Sequence, residues 1–135
     1  MRLQKSTRYA LYAAMEMASA PPGGVVTVGE VAGKYGMPAG ALAKVFQQLV
    51  RSGIAVGTRG IGGGYRLAKP ISEITVLDVL SAFEPQRPSG GCLLAESERD
   101  CHLSPMCRVR RLFDEVDESA RNTLASITLA TLVKH

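Results

Sequence analysis

Ile54-Ala55-Val56-Gly57-Thr58-Arg59-Gly60-Ile61-Gly62-Gly63-Gly64-Tyr65-Arg66-Leu67 is the stretch on which the fold turns. Ile54–Thr58 and Tyr65–Leu67 have the β-branched and aromatic content of two short strands, and the connection Arg59–Gly64 is glycine-rich with a basic start, so the segment reads as a β-hairpin. Glycines let such a tip lie close against a sugar–phosphate backbone, while Arg59 and Arg66 supply charge and reach for a minor groove. The competing reading is a nucleotide phosphate cradle. That chemistry needs a GxxxxGK[ST] pattern running into a helix start, and neither is present.

Upstream, the hydrophobic spacing is helical. Leu11, Ala14, Met15 and Ala18 fall at i, i+3, i+4 and i+7 within a predicted helix over 6–20, which Pro21-Pro22-Gly23-Gly24 ends. Thr27-Val28-Gly29-Glu30 is a capping-box pattern, followed by Val28, Val31, Ala32 and Tyr35 at helical spacing until Gly36. After the turn Gly36-Met37-Pro38, Leu42, Val45, Phe46 and Leu49 repeat the pattern as far as Gly53. Two short helices joined by a glycine turn and followed by a β-hairpin make a winged helix-turn-helix unit. Thr75 caps a fourth helix carrying Val76, Val79, Leu80 and Phe83, which closes the unit.

Beyond a Pro- and Gly-rich stretch, Val109, Leu112, Phe113, Val116, Ala120, Thr123 and Ile127 trace one apolar stripe to about Ser126, and a short apolar tail, Leu129–Val133, ends the chain. A long helix with a single stripe has to bury it, and a second subunit is the economical cover. The expected fold class is therefore mainly α with a small β-hairpin. Its predicted divisions are a DNA-binding unit over 1–84, a cysteine-bearing segment over 85–107, and a dimerisation helix with tail over 108–135.

Composition agrees. The 135 residues are 46% hydrophobic and 21% charged, which argues for a folded chain of about one domain. Residues 1–70 carry nine Lys or Arg against two acids, Glu16 and Glu30, whereas residues 71–135 carry seven against ten. A basic half and an acidic half are what a polyanion binder needs, because neutralised phosphates release counterions. No apolar run reaches the ~18 residues of a membrane span, and the start lacks the apolar core of a secretory signal, so no membrane association and a cytoplasmic location are expected. With two histidines, His102 and His135, and no paired acid and base, the chain is not expected to be an enzyme.

All three cysteines, Cys92, Cys101 and Cys107, lie within 16 residues with the spacing C-x8-C-x5-C. An odd number argues against a disulfide framework, and close thiolates suit a soft metal centre. An iron–sulfur cluster, a zinc site completed by His102, a metal-free thiol–disulfide switch and unreactive loop thiols are all open at this point.

The sequence resembles the Rrf-two family of bacterial transcriptional regulators over nearly its whole length. The resemblance rests on Met1-Arg2-Leu3 with Arg8-Tyr9-Ala10, Arg59-Gly60 with Gly63-Gly64-Tyr65-Arg66-Leu67-Ala68, Ile74-Thr75-Val76, and Ile127-Thr128-Leu129-Ala130. Cys101-His102-Leu103-Ser104-Pro105-Met106-Cys107-Arg108 is most similar to the nitric-oxide-sensing NsrR branch, and the eight-residue first gap to RirA-like members. The resemblance implies a homodimer on double-stranded operator DNA, and an iron–sulfur cluster, 4Fe–4S or 2Fe–2S, held by Cys92, Cys101 and Cys107. It implies a repressor sensing redox, nitric oxide or iron status, or else a metal-free regulator of the same fold governed by thiol oxidation or a partner. No fourth ligand carries over. Arg110 stands where some members place a histidine, and Arg8 where others place an acid that serves the partner subunit.

In the second helix of the helix-turn-helix, Pro38, Ala39, Gly40 and Ala41 offer almost no hydrogen-bonding side chains. Lys44 and Arg51 are the expected phosphate contacts, and Gln47 and Gln48 the candidates to reach adenine. Arg59 and Arg66 complete the predicted DNA-binding set.

Overall fold

The computed structural model describes residues 3–84 and 108–134. Its elements run α1 (Lys5–Ser19), α2 (Val28–Tyr35), α3 (Ala39–Arg51), β1 (Ala55–Thr58), β2 (Gly64–Leu67), α4 (Val76–Phe83), α5 (Arg108–Ser126) and α6 (Leu129–Val133). The expected architecture is present, mainly helical with one two-stranded hairpin.

α1 lies against α3, α4, α6 and the hairpin. Its buried face is Ala10, Ala13, Ala14 and Met17, one residue before the face expected from Leu11, Ala14, Met15 and Ala18. The stretch is apolar nearly all round, so two faces fit the same spacing. Packing selects the one whose alanines let neighbouring backbones approach, and Leu11 and Ala18 flank the core half-buried.

α2 begins as expected at Thr27, whose hydroxyl accepts from the Glu30 amide at 3.2 Å. The reciprocal bond from the Glu30 carboxylate is not made there. The complete capping box sits at α4, where Thr75 Oγ1 accepts from the Asp78 amide at 3.1 Å and Asp78 accepts from the Thr75 amide at 2.9 Å. Gly36, at φ 65°, ends α2 in the left-handed conformation that favours glycine.

Leu42, Val45, Phe46 and Leu49 of α3 are buried, as their spacing predicts. α3 closes in a Schellman motif, with Gly53 donating to Val50 and Ile54 to Leu49, both at 3.0 Å, and Gly53 at φ 77°. That sharp exit aims the chain directly into β1. The hairpin pairs Ala55 with Leu67, Val56 with Arg66, Gly57 with Tyr65 and Thr58 with Gly64, so its first strand starts one residue later and its second one residue earlier than expected. Val26 adds a bridge outside the strands, exchanging two hydrogen bonds with Tyr65 at 2.8 and 2.9 Å.

α5 covers the predicted span. Phe113, Ala120 and Leu124 are half-buried, and α5 packs on α4, while Val109, Leu112 and Val116 stay exposed at 44, 57 and 55%. The apolar tail forms a further helical turn, α6. Thr128 caps it, and the chain returns to the head. Val76 donates to Ile127 at 2.8 Å, Leu129 donates to Ile74 at 2.9 Å, and the Leu129 side chain is wholly buried in the core that α1, α3 and α4 share.

Gln4 caps α1 without a side-chain bond of its own. The Glu84 carboxylate does the work from 80 residues away, accepting the Gln4 amide at 2.8 Å and the hydroxyl of fully buried Thr7 at 2.7 Å. A carboxylate at that end also opposes the positive pole of the helix. Among the described residues no helix is long and apolar enough to cross a membrane.

Candidate nucleic-acid interface

The inner face of α3 is consumed by the core, which leaves Ala41, Lys44, Gln47 and Arg51 on an exposed outer face. Gln48, expected beside them, is diverted. It is half-buried and its Nε2 donates to the carbonyl of Ala82 at 3.2 Å, tying α3 to the last turn of α4. The structure thus brings together Lys44, Gln47 and Arg51 of the four α3 residues. At the N-terminus of the helix, Ala39, Gly40 and Ala41 are exposed and small, and Pro38 supplies no side-chain cap. Backbone donors there point outward at the positive end of the helix dipole.

Three contacts hold the wing beside this helix. The Tyr65 ring stacks on buried Phe46 of α3 at 4.6 Å between centroids and 24° between planes. The Val26 bridge grips the backbone of Tyr65, and Ala68 donates to Ile54 at 2.9 Å across the open end of the hairpin. Alternation along the strand puts Arg66 on the face opposite Tyr65, where it is exposed, as is Arg59 at the start of the tip. Sequence reading assigned the glycines to close approach by a backbone, but the wing itself requires them. A Cβ on Gly63 would lie 2.4 Å from the Thr58 carbonyl oxygen, and one on Gly64 would lie 2.5 Å from that of Val26.

Charge is sorted in the same way. Among the described residues Lys44, Arg51, Arg59 and Arg66 have no carboxylate partner, whereas Lys34, on α2, bonds Glu16 of α1 at 2.8 Å. Glu16 also accepts the Tyr35 hydroxyl, and the Tyr35 ring packs against Tyr12 at 4.9 Å. Burial pushes the Glu16 carboxyl up, but the hydrogen bonds from Lys34 and Tyr35, with the charge of Lys34, outweigh it and hold the group below its ordinary value. The hydrogen bond to Glu16, with burial, raises the Tyr35 phenol in turn. This cluster fastens α2 to α1, and among the described residues no acid pairs with the outer cations of α3 and the wing.

Sequence reading missed the Phe46–Tyr65 stack, the Glu84 cap on α1 and the Glu16 cluster. The odd positions Ala55, Gly57, Tyr65 and Leu67 shared a strand face and could have revealed the first. The other two join residues 77 to 80 and 18 to 19 positions apart, with no local signal. The predicted ligands Cys92, Cys101 and Cys107 lie outside the described residues. Among the described ones, no group of His, Cys, Asp and Glu is placed to hold a metal ion.

Comparison with known proteins adds to this geometry. The HTH-type transcriptional regulator BadM of Rhodopseudomonas palustris is similar at 39% identity over 134 residues, covering 99% of this chain and 82% of that protein. Two solved structures share the fold at 22% identity. They are IscR of T. potens, with a TM-score of 0.79 over 99% of this chain and 87% of that one, and CymR (YrzC), the global cysteine regulator of B. subtilis, with 0.80 over 99% and 97%. The sequence profile of the family described as Rrf2, iron-dependent transcriptional regulator, matches residues 3–135. With a winged helix whose exposed cations lie on α3 and the hairpin, and with that match over almost its full length, the chain belongs to the Rrf2 family, one of DNA-binding transcriptional regulators and not of enzymes.

Proposed function

We propose that this regulator is a homodimeric repressor that docks α3 in the major groove and the wing on the adjacent minor groove, with its DNA binding governed by an iron–sulfur cluster on Cys92, Cys101 and Cys107. The observation that carries the DNA contact is the set Lys44, Arg51, Arg59 and Arg66, exposed on two elements locked to each other and without acid partners among the described residues. Lys44 and Arg51 position α3 on phosphates, Gln47 reads a base edge, and Arg59 and Arg66 serve the wing. Gln48 holds α3 to α4 and reads nothing. The exposed stripe Val109, Leu112 and Val116 on α5 supports a second copy of the chain as its cover.

The donor set fits the cluster in its chemistry. Three thiolates without a matching fourth protein ligand suit an iron–sulfur centre with one exchangeable position. When bound, such a cluster supplies a centre whose integrity responds to oxidants, nitric oxide and iron supply. The chain's own contribution is positional, since the cysteine segment begins directly after Glu84, whose carboxylate caps α1.

The test is a duplex selection from a random pool with protein purified without oxygen, followed by anisotropy titrations across salt. Lys44→Ala and Arg59→Ala should each weaken binding and lower the salt slope by about one. A wild-type protein that enriches no duplex would overturn the DNA reading. Visible absorption near ~400 nm with matching iron and sulfide, lost on Cys101→Ala, is expected for the cluster. Colourless protein holding zinc, or no metal, would sink the cluster and leave the DNA reading standing, with control passing to thiol oxidation.

A further inference from the structure

Ile61 stands at the tip of the wing with its whole side chain in solvent, at 110% of its reference area. One exposed apolar side chain is ordinary in itself. The backbone that presents this one is not. Gly60 accepts from the Gly63 amide at 2.9 Å, and φ is positive at Gly62 (78°) but not at Ile61, which defines a type II turn with Ile61 at its first corner. Gly60, at φ 96°, sets the approach to the turn, and Gly63 has no room for a side chain. From 60 to 64 the wing is therefore bare backbone carrying a single side chain, that of Ile61. Arg59 stands immediately before it, exposed and without an acid partner among the described residues.

A narrow ridge with one apolar knob presented on a defined turn, and a cation at its root, matches a narrow cleft with anionic rims. The duplex minor groove, about 6 Å wide, has that form. Resting on the DNA reading above, we propose that Ile61 is an apolar wedge. It enters the minor groove beside the site of α3, presses on sugars and base edges, and partly opens a base step. A wedge of this kind favours steps that unstack easily, TA and CA/TG, over stiff A-tracts. Ile61 thus gives the protein sequence preference at a position where it makes no hydrogen bond. The isoleucine carries no charge, so its contribution is independent of salt, unlike that of Arg59.

The experiment uses the full chain and the duplex enriched by the wild type. Titrations at several salt concentrations, with end-to-end energy transfer to report bending, compare wild type, Ile61→Ala and Ile61→Leu. Ile61→Ala should bind about five- to tenfold more weakly with an unchanged salt slope and a smaller bend. Ile61→Leu should restore most of both. Replacing the flexible step under the wing by an A-tract should penalise wild type and leave Ile61→Ala nearly indifferent. Because Ile61 touches no core, its variants fold as the wild type does. Wild-type affinity and bend in Ile61→Ala, while wild type itself binds, would overturn the wedge alone. So would a change in oligomeric state with DNA binding intact, which would assign the tip to a protein contact. If wild type binds no duplex, the DNA reading fails and the wedge with it.

Discussion

Leu129→Ala tests whether the residues after the long helix belong to the DNA-reading head. Leu129 has no exposed surface and lies in one core with Ile74 and Val79, which are 2% and 0% exposed. The truncation removes three carbons, about 2.4 kcal/mol at ~0.8 kcal/mol each. Its neighbours sit on α4 and on the loop that Leu129 itself hydrogen-bonds, so the hole cannot close fully and the loss rises to about 3 kcal/mol. For 135 residues the unfolding entropy is about 0.28 kcal/mol per degree, and Tm should fall by roughly 10 °C. Urea and thermal melts followed by far-ultraviolet circular dichroism, at one fixed protein concentration because self-association adds stability, measure it. Leu112→Ala is the contrast. At 57% exposure it should change the stability of the head by no more than about 0.5 kcal/mol while weakening self-association in sedimentation. A loss under about 1 kcal/mol for Leu129→Ala would refute the shared core.

The cap on α1 predicts that Thr7→Val costs about 1–2 kcal/mol in urea melts, since a buried hydroxyl bonded to a carboxylate is replaced by a methyl; a neutral result would remove the clamp from the account. Gly64→Ala should push the Val26 carbonyl off Tyr65, costing about 1–3 kcal/mol, and should speed hydrogen exchange at the Val26 and Tyr65 amides relative to α1. The lowered Glu16 carboxyl adds stability that is fully present above its ordinary value of 4.5 and is lost as pH falls through the lowered folded value. Glu16→Gln should therefore be less stable than wild type at neutral pH and converge on it in acid, as acid-titration melts would show.

How far the fold was legible follows from how local its causes are. α3 and its inner face could be read because Leu42, Val45, Phe46 and Leu49 fall on one face of a helix that is otherwise polar or small except for exposed Val50. α1 offered two equivalent faces, and the choice was made by elements that lie beyond it in the chain. The capping pattern was recognised at both Thr27 and Thr75, yet sequence cannot say whether the acid reaches back, and it does so only at Asp78. Gln48 looked like a base reader because its type and spacing fit. What removed it was the Ala82 carbonyl, 34 positions away. The charge asymmetry was legible in full, whereas the pairing of Lys34 depended on Glu16 meeting it across two helices.

Glu84 and Ile127 bracket residues 85–126 in the sequence, and both adjoin α4. Glu84 follows its last residue, and Ile127 bonds the amide of its first, Val76. An eight-residue helix is about 12 Å long, a gap that about four extended residues can bridge. In sequence, residues 85–126 all lie between the two ends of this one rod. The cysteine segment and the long helix could therefore be exchanged for a short linker, or for the corresponding segment of another protein, without rerouting the chain of the reading head.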